Sequence, residues 1–448
     1  MKMKKWLAPV LGLVLIVSPA TGAYAAETAP TVKTPASDLR ATFDYLLSEH
    51  YALAVDTMIK TYDGNKAAPE AAKALDQNAK DMEPAIASIY GEEGGKQFEA
   101  IFAPHNAATD DYAQAVKDGD KAAQDAATKE VDKFVNDMAA FLSTATGGKL
   151  PEAGAKQALA EHEADVQQVF DQYVAKDYEG AYKTYLAGFE QIFGAGKAIS
   201  GAIVAQNPDK FDNTKPDTAA ADLRSTLTML GSEHFALATL SMEKGYDGDP
   251  DYDYVNWAQD QNTAAFKAAF TSIYGADAGN QFEKLWTTNH INAQADLAAA
   301  TAAKNTDNEQ KDKTRLTNTF ANDFGNFLAT ATDGNLPAKD AVAAVTQHET
   351  TVTDTFDKYV SGDYAGSYAS YREGYKLMSG IGENLGGAIV TQFPDKFSDT
   401  MPTSMPNTGM GDGNQANNNL AIWISLSAII LAGAGFIIFR QQKKQHRQ

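Results

Sequence analysis

The stretch DLRATFDYLLSEHYALAVDTMIKTYDG, residues 38–64, decides how the chain is read. Phe43, Leu46, Leu47, His50, Leu53, Ala54 and Met58 recur at three- and four-residue steps, the period of an amphipathic helix. Asp63-Gly64 supplies the stop. His50 sits on the apolar stripe, so this helix points an imidazole inward from its middle. The pattern returns 184 residues later: Asp222-Leu223-Arg224, Ser232-Glu233-His234 and Tyr246-Asp247-Gly248 match Asp38-Leu39-Arg40, Ser48-Glu49-His50 and Tyr62-Asp63-Gly64.

Outward from there the matches continue. Asp76-Gln77-Asn78 pairs with Asp260-Gln261-Asn262, and Ser88-Ile89-Tyr90-Gly91 with Ser272-Ile273-Tyr274-Gly275. Asn136-Asp137 pairs with Asn322-Asp323, and His162-Glu163 with His348-Glu349. Pro208-Asp209-Lys210-Phe211 closes the first copy and Pro394-Asp395-Lys396-Phe397 the second. The offset grows from 184 to 186, so two single-residue insertions suffice. A period this long means a duplicated domain, not a solenoid of short repeats. The copies span 38–211 and 222–397, joined by a polar linker, 212–221. No two-residue alternation is sustained. Ala-rich segments end at punctuation such as Gly94-Gly95, Gly147-Gly148 and Leu150-Pro151. The first copy therefore predicts helices near 38–63, 68–91, 95–118, 121–145, 152–175 and 178–206. The fold class is all-α: two tandem duplicated helical bundles.

Composition bounds the chemistry. With 448 residues and 44% hydrophobic content the chain can bury cores, and without Cys it has no disulfides, thiolate metal sites or cysteine nucleophile. The formal charge of −20 argues against nucleic acid as a partner.

The two ends read as addresses. Lys2, Lys4 and Lys5, an apolar run from Leu7 to Val17, and Ala23-Tyr24-Ala25 form a signal peptide, residues 1–25, for signal peptidase. At the other end stand Met405-Pro406-Asn407-Thr408-Gly409, an apolar span at 420–439, and a basic tail at 440–448. This order resembles the LPXTG-type sorting signal of Gram-positive surface proteins, with Met405 in place of Leu. The resemblance implies that a sortase cuts between Thr408 and Gly409 and joins Thr408 covalently to cell-wall peptidoglycan. Taking the +3 of residues 1–25 and the net +3 of residues 409–448 from −20 leaves the exported piece near −26, a field that draws in cations. A stem of about ten residues, 398–408, reaches at most roughly 35 Å, which keeps the bundles at the wall and favours small diffusible ligands.

The histidines carry the chemical signal. Of seven, all but His446 fall at three positions of the repeat: His50, His105 and His162, then His234, His290 and His348. His50 lies about 12 residues from either end of its helix, His105 about 10 past Gly95 and His162 about 11 past Pro151. At 1.5 Å per residue each is on the order of 15–18 Å from a helix end, which sets three imidazoles in one layer. Glu49 and Glu163, and in the second copy Glu233 and Glu349, adjoin them, with Asn78 and Asn136 as supporting partners. Imidazoles with a carboxylate suit Cu, Zn, Fe or Ni, and the lack of Cys disfavours a Cu(I) thiolate site. Two features stand against a simple repeat of this site. Pro104 should kink or restart the helix before His105. An ungapped register sets Asn289, not His290, opposite His105. Buried histidines satisfied by core neighbours remain the other reading: a non-catalytic structural or interaction module.

There is no P-loop, GxGxxG, HExxH, EF-hand loop or GxSxG. Tyr178, Tyr182 and Tyr185, echoed by Tyr364, Tyr368 and Tyr371, read as core packing. The runs SEHYALA, SIYG, QFE, FLSTATGGKLP and AIVAQNPDKF resemble uncharacterised exported helical domains of Bacillus- and Paenibacillus-like bacteria, sometimes labelled copper amine oxidase-like. That label implies no oxidase here. Copper amine oxidases are β-rich, with an Asn-Tyr-Asp/Glu cofactor motif and a His-x-His pair. In this chain Tyr62-Asp63 follows Thr61, Tyr246-Asp247 follows Gly245, and His-x-His is absent. The expectation is a wall-anchored protein, not an enzyme, that binds or buffers a transition metal or a metal-containing ligand.

Overall fold

A computed structural model describes residues 29–398. The signal peptide, the sorting motif at 405–409, the span at 420–439, the tail and all but the first residue of the stem lie outside the described residues. Among the described residues no helix is long and apolar enough to cross a membrane.

The described chain is helical throughout, with no strand among the described residues. In the first half α1 (Pro35–Asp63), α2 (Ala68–Asp118), α3 (Lys121–Ala145), α4 (Glu152–Val174) and α5 (Tyr178–Gln206) follow in order. The second half has α6 (Ala219–Asp247), α7 (Tyr252–Tyr274), α8 (Ala276–Trp286), α9 (Asn292–Ala302), α10 (Thr306–Thr314), α11 (Ala321–Ala331), α12 (Ala338–Ser361) and α13 (Tyr364–Gln392). Thr34 caps α1 in a reciprocal capping box with Ser37, and Gly64 ends it in the left-handed conformation at φ 69°.

Two expectations about the second helix are corrected. The break falls at Gly91, whose φ of 81° and ψ of 170° only glycine adopts readily, and Gly94-Gly95 lie inside the restarted helix. Pro104 does not interrupt that helix: Gly91 is the one non-helical residue within α2. The cost of Pro104 is a single missing donor.

α1 packs on α2, α4 and α5, and α6 on α7, α9, α12 and α13. The two central helices also pack on each other, so one buried cluster joins Tyr51, Leu53, Phe170 and Phe189 to Phe235, Leu237, Phe356 and Tyr375. Ion pairs cross this seam reciprocally. Arg40 Nη1 lies 2.5 Å from Asp222, and Arg224 Nη1 2.6 Å from Asp38. Tyr182, Tyr185 and Tyr368 are buried along the seam, as core packing requires.

The two added residues of the second half appear as two π-helical turns, Thr287–Ile291 and Arg315–Phe320. A π-turn takes up one extra residue without ending the helix, and such turns recur at functional sites. The first begins one residue after Trp286, the counterpart of Phe102. It swallows the insertion before His290, so His290, not Asn289, takes the place of His105.

Candidate metal centres

Each half brings its three histidines together. His50 on α1, His105 on α2 and His162 on α4 are all buried, and so are His234 on α6, His290 in the π-turn and His348 on α12. In each trio one nitrogen per ring can be chosen so that all lie within 4.8 Å of one another, an arrangement that could hold a metal ion. Nitrogens bound at 2.0–2.1 Å to one tetrahedral ion sit about 3.4 Å apart. His105 Nε2 is already 3.4 Å from His50 Nε2, and His290 Nε2 is 2.8 Å from His234 Nε2.

Aromatic neighbours fix the ring planes. His105 stacks on Phe134 at 4.1 Å between centroids, and His290 on Phe320 at 4.4 Å. Phe102 meets His50 edge-on, and Trp286 meets His290 edge-on at 4.7 Å. Two of these rings, Phe134 and Phe320, carried no sequence signal: apolar residues at helical spacing look alike whether they pack on Leu or on imidazole.

Burial favours the neutral form of His50, His105, His162, His234 and His348, the form that binds metals. It holds His105 down at about 3 and His162 at about 4. His348 is held at about 4 by burial, against the pull of Glu349. His50 and His234 lie well below the usual histidine value, from burial first and the neighbouring rings second. No hydrogen bond reaches His50 Nδ1, His105 Nδ1, His162 Nδ1 or either nitrogen of His348, all of them buried. Buried polar atoms without partners are rare and ask for a missing one.

The four glutamates part ways. Glu163 Oε1 lies 3.4 Å from His105 Nε2 and 3.9 Å from His162 Nε2, and burial pushes its carboxyl up to about 8. Glu349 Oε1 lies 2.9 Å from His290 Nδ1 and 3.8 Å from His348 Nε2. Glu49 and Glu233 are not brought to the rings. Glu49 accepts hydrogen bonds from Asn78 at 2.7 Å and from Arg372 of the other half at 3.0 and 3.2 Å. Glu233 accepts one from Asn262 at 2.8 Å. Asn78 thus supports Glu49 rather than a histidine, and exposed Asn136 bonds only its own helix, at Asp132 O.

Comparison of the chain with protein-family models, with curated proteins and with solved structures gives no match.

Proposed function

We propose that the protein binds two transition-metal ions at the cell envelope, one in each of two duplicated helical bundles. His50, His105 and His162 would hold the first ion, with Glu163 as a fourth ligand. His234, His290 and His348 would hold the second, with Glu349 turning the His290 ring through its Nδ1. The observation that carries this reading is the pair of buried three-imidazole clusters, in which five ring nitrogens, on His50, His105, His162 and His348, have no hydrogen-bond partner. Three imidazoles favour Cu, Zn, Fe or Ni over Mg or Ca, which prefer oxygen. The role is binding or buffering, not turnover. Residues 1–25 would direct export. The Met405–Gly409 motif, the span and the tail would present the protein to sortase for attachment to peptidoglycan, as the resemblance to LPXTG-type proteins suggests.

The rival is a structural module whose histidines are core residues. The close His234–His290 nitrogen pair and the stacked Phe134 and Phe320 rings favour it. Metal analysis of the purified chain, after incubation with each ion and removal of loose metal, separates the two. The metal reading expects two ions per chain and a raised melting temperature. No ion retained and no thermal shift with Cu, Zn, Fe or Ni leaves the structural reading standing.

A further inference from the structure

The two clusters differ in what opens onto them. In the first half a cavity of about 90 Å³ reaches His50 and His162. In the second a cavity of about 430 Å³ reaches His234 and His348. Its walls are aromatic: Phe266, Phe270, Phe282, Trp286, Phe320 and Phe324. Asn335, Asp340 and Asn384, all exposed, mark the end that meets solvent, while the two buried histidines close the inner end. No Lys or Arg lines it.

The difference in size has a residue behind it. Gly231 stands in the middle of α6 where Leu47 fills the first half. A glycine inside a helix costs about 1 kcal/mol relative to alanine, and here it leaves space rather than a close contact. A Cβ at Gly231 would meet only Met378, no nearer than 3.6 Å. One lining residue also carries an unpaired donor: Trp286 is 6% exposed, and its buried Nε1 has no hydrogen-bond partner. A buried indole N–H usually finds one.

We infer that this cavity is a binding site for a neutral aromatic molecule of about two rings carrying one hydrogen-bonding oxygen. An apolar cavity of roughly 150 Å³ holds a benzene ring, and 430 Å³ is well over twice that. The Phe and Trp walls select flat apolar rings by stacking. The lack of cationic lining excludes an anion, since a carboxylate would be buried unpaired. The Trp286 N–H donates to the single oxygen. The site needs no metal, so it stands or falls apart from the proposed ions.

The test is calorimetric titration of the metal-free full chain with 2-naphthol, naphthalene and 2-naphthoate. The expected result is one site per chain, with 2-naphthol several-fold tighter than naphthalene and 2-naphthoate not bound. Gly231→Leu should weaken 2-naphthol at least tenfold and Gly231→Ala a few-fold. The alanine variant, which meets only ordinary contacts, carries the test if the leucine variant misfolds. Trp286→Phe should erase the advantage of 2-naphthol over naphthalene. Neither neutral probe binding, or binding that ignores both changes at Gly231, overturns the inference. Retention of two ions by a chain that binds no probe rejects the cavity site alone; probe binding by a chain that retains no ion rejects the metal reading alone.

Discussion

The two histidine clusters are the same three residue positions solved in two ways. In the first half His105 turns Nε2 toward both His50 and Glu163, and its Nδ1 has no hydrogen-bond partner. In the second, a π-turn carries the equivalent ring. His290 sets Nδ1 2.9 Å from Glu349 Oε1 and Nε2 2.8 Å from His234 Nε2. Across the added residue, the first-half carboxylate lies nearest the Nε2 of its ring and the second-half carboxylate nearest the Nδ1. Equal sequence motifs do not ensure equal side-chain geometry when the backbone between them differs by a residue.

The largest expected effect tests whether the clusters are independent. His50→Ala should remove one ion per chain and leave the second, and His234→Ala should do the reverse. Each loss should exceed the ~100-fold that changes around a metal site reach. Atomic-emission counting of bound metal checks it; loss of both ions from either variant would mean one shared site instead of two.

The glutamates sharpen the contrast. Glu163→Gln should weaken the first ion and remove an oxygen from its shell. Glu349→Gln should weaken the second by about 10–100-fold while keeping three nitrogens. X-ray absorption on singly loaded chains reads both. If the two substitutions change the spectra alike, the distinction between ligand and orienting partner is lost.

The smallest effect lies at the seam, where the first half has Asp44 and the matching position of the second half has Thr228. Burial, opposed by Arg40, pushes Asp44 up to about 6. Ser225 donates to it at 2.6 Å. A carboxyl with a raised folded pKa holds its proton longer in the native state. Its contribution therefore turns unfavourable as pH rises from about 4 to about 6. Asp44→Asn should stabilise the chain by roughly 1–3 kcal/mol at pH 7 and by almost nothing at pH 4. Urea unfolding at the two pH values measures it, and an equal effect at both would refute the cause.

Much of this was legible beforehand. Helical spacing around Phe43 and Leu46 carried the fold class, and matched depth along separate helices carried the meeting of His50, His105 and His162. What stayed hidden depends on neighbours. Glu49 and Glu163 each sit one step from a histidine, but the packing of α13 gives Glu49 to Arg372, while burial beside His105 leaves Glu163 in the cluster. Leu186 occupies the Arg372 position in the first half, so Glu233 has no such partner and burial holds it at about 7. The mismatch of Trp286–His290 with Phe102–His105 was visible as a count, but only the backbone tells whether an added residue ends a helix or widens one turn. Pro104 misled because a lost donor need not bend a helix held by its neighbours.

The most direct measurement is anomalous diffraction from crystals of the chain loaded with Zn or Cu. The account expects two strong peaks per chain, each with three imidazole nitrogens at about 2.0–2.1 Å, one among His50, His105 and His162 and one among His234, His290 and His348. Peaks only at surface carboxylates, or none with the six rings in their present hydrogen bonds and stacks, would contradict it.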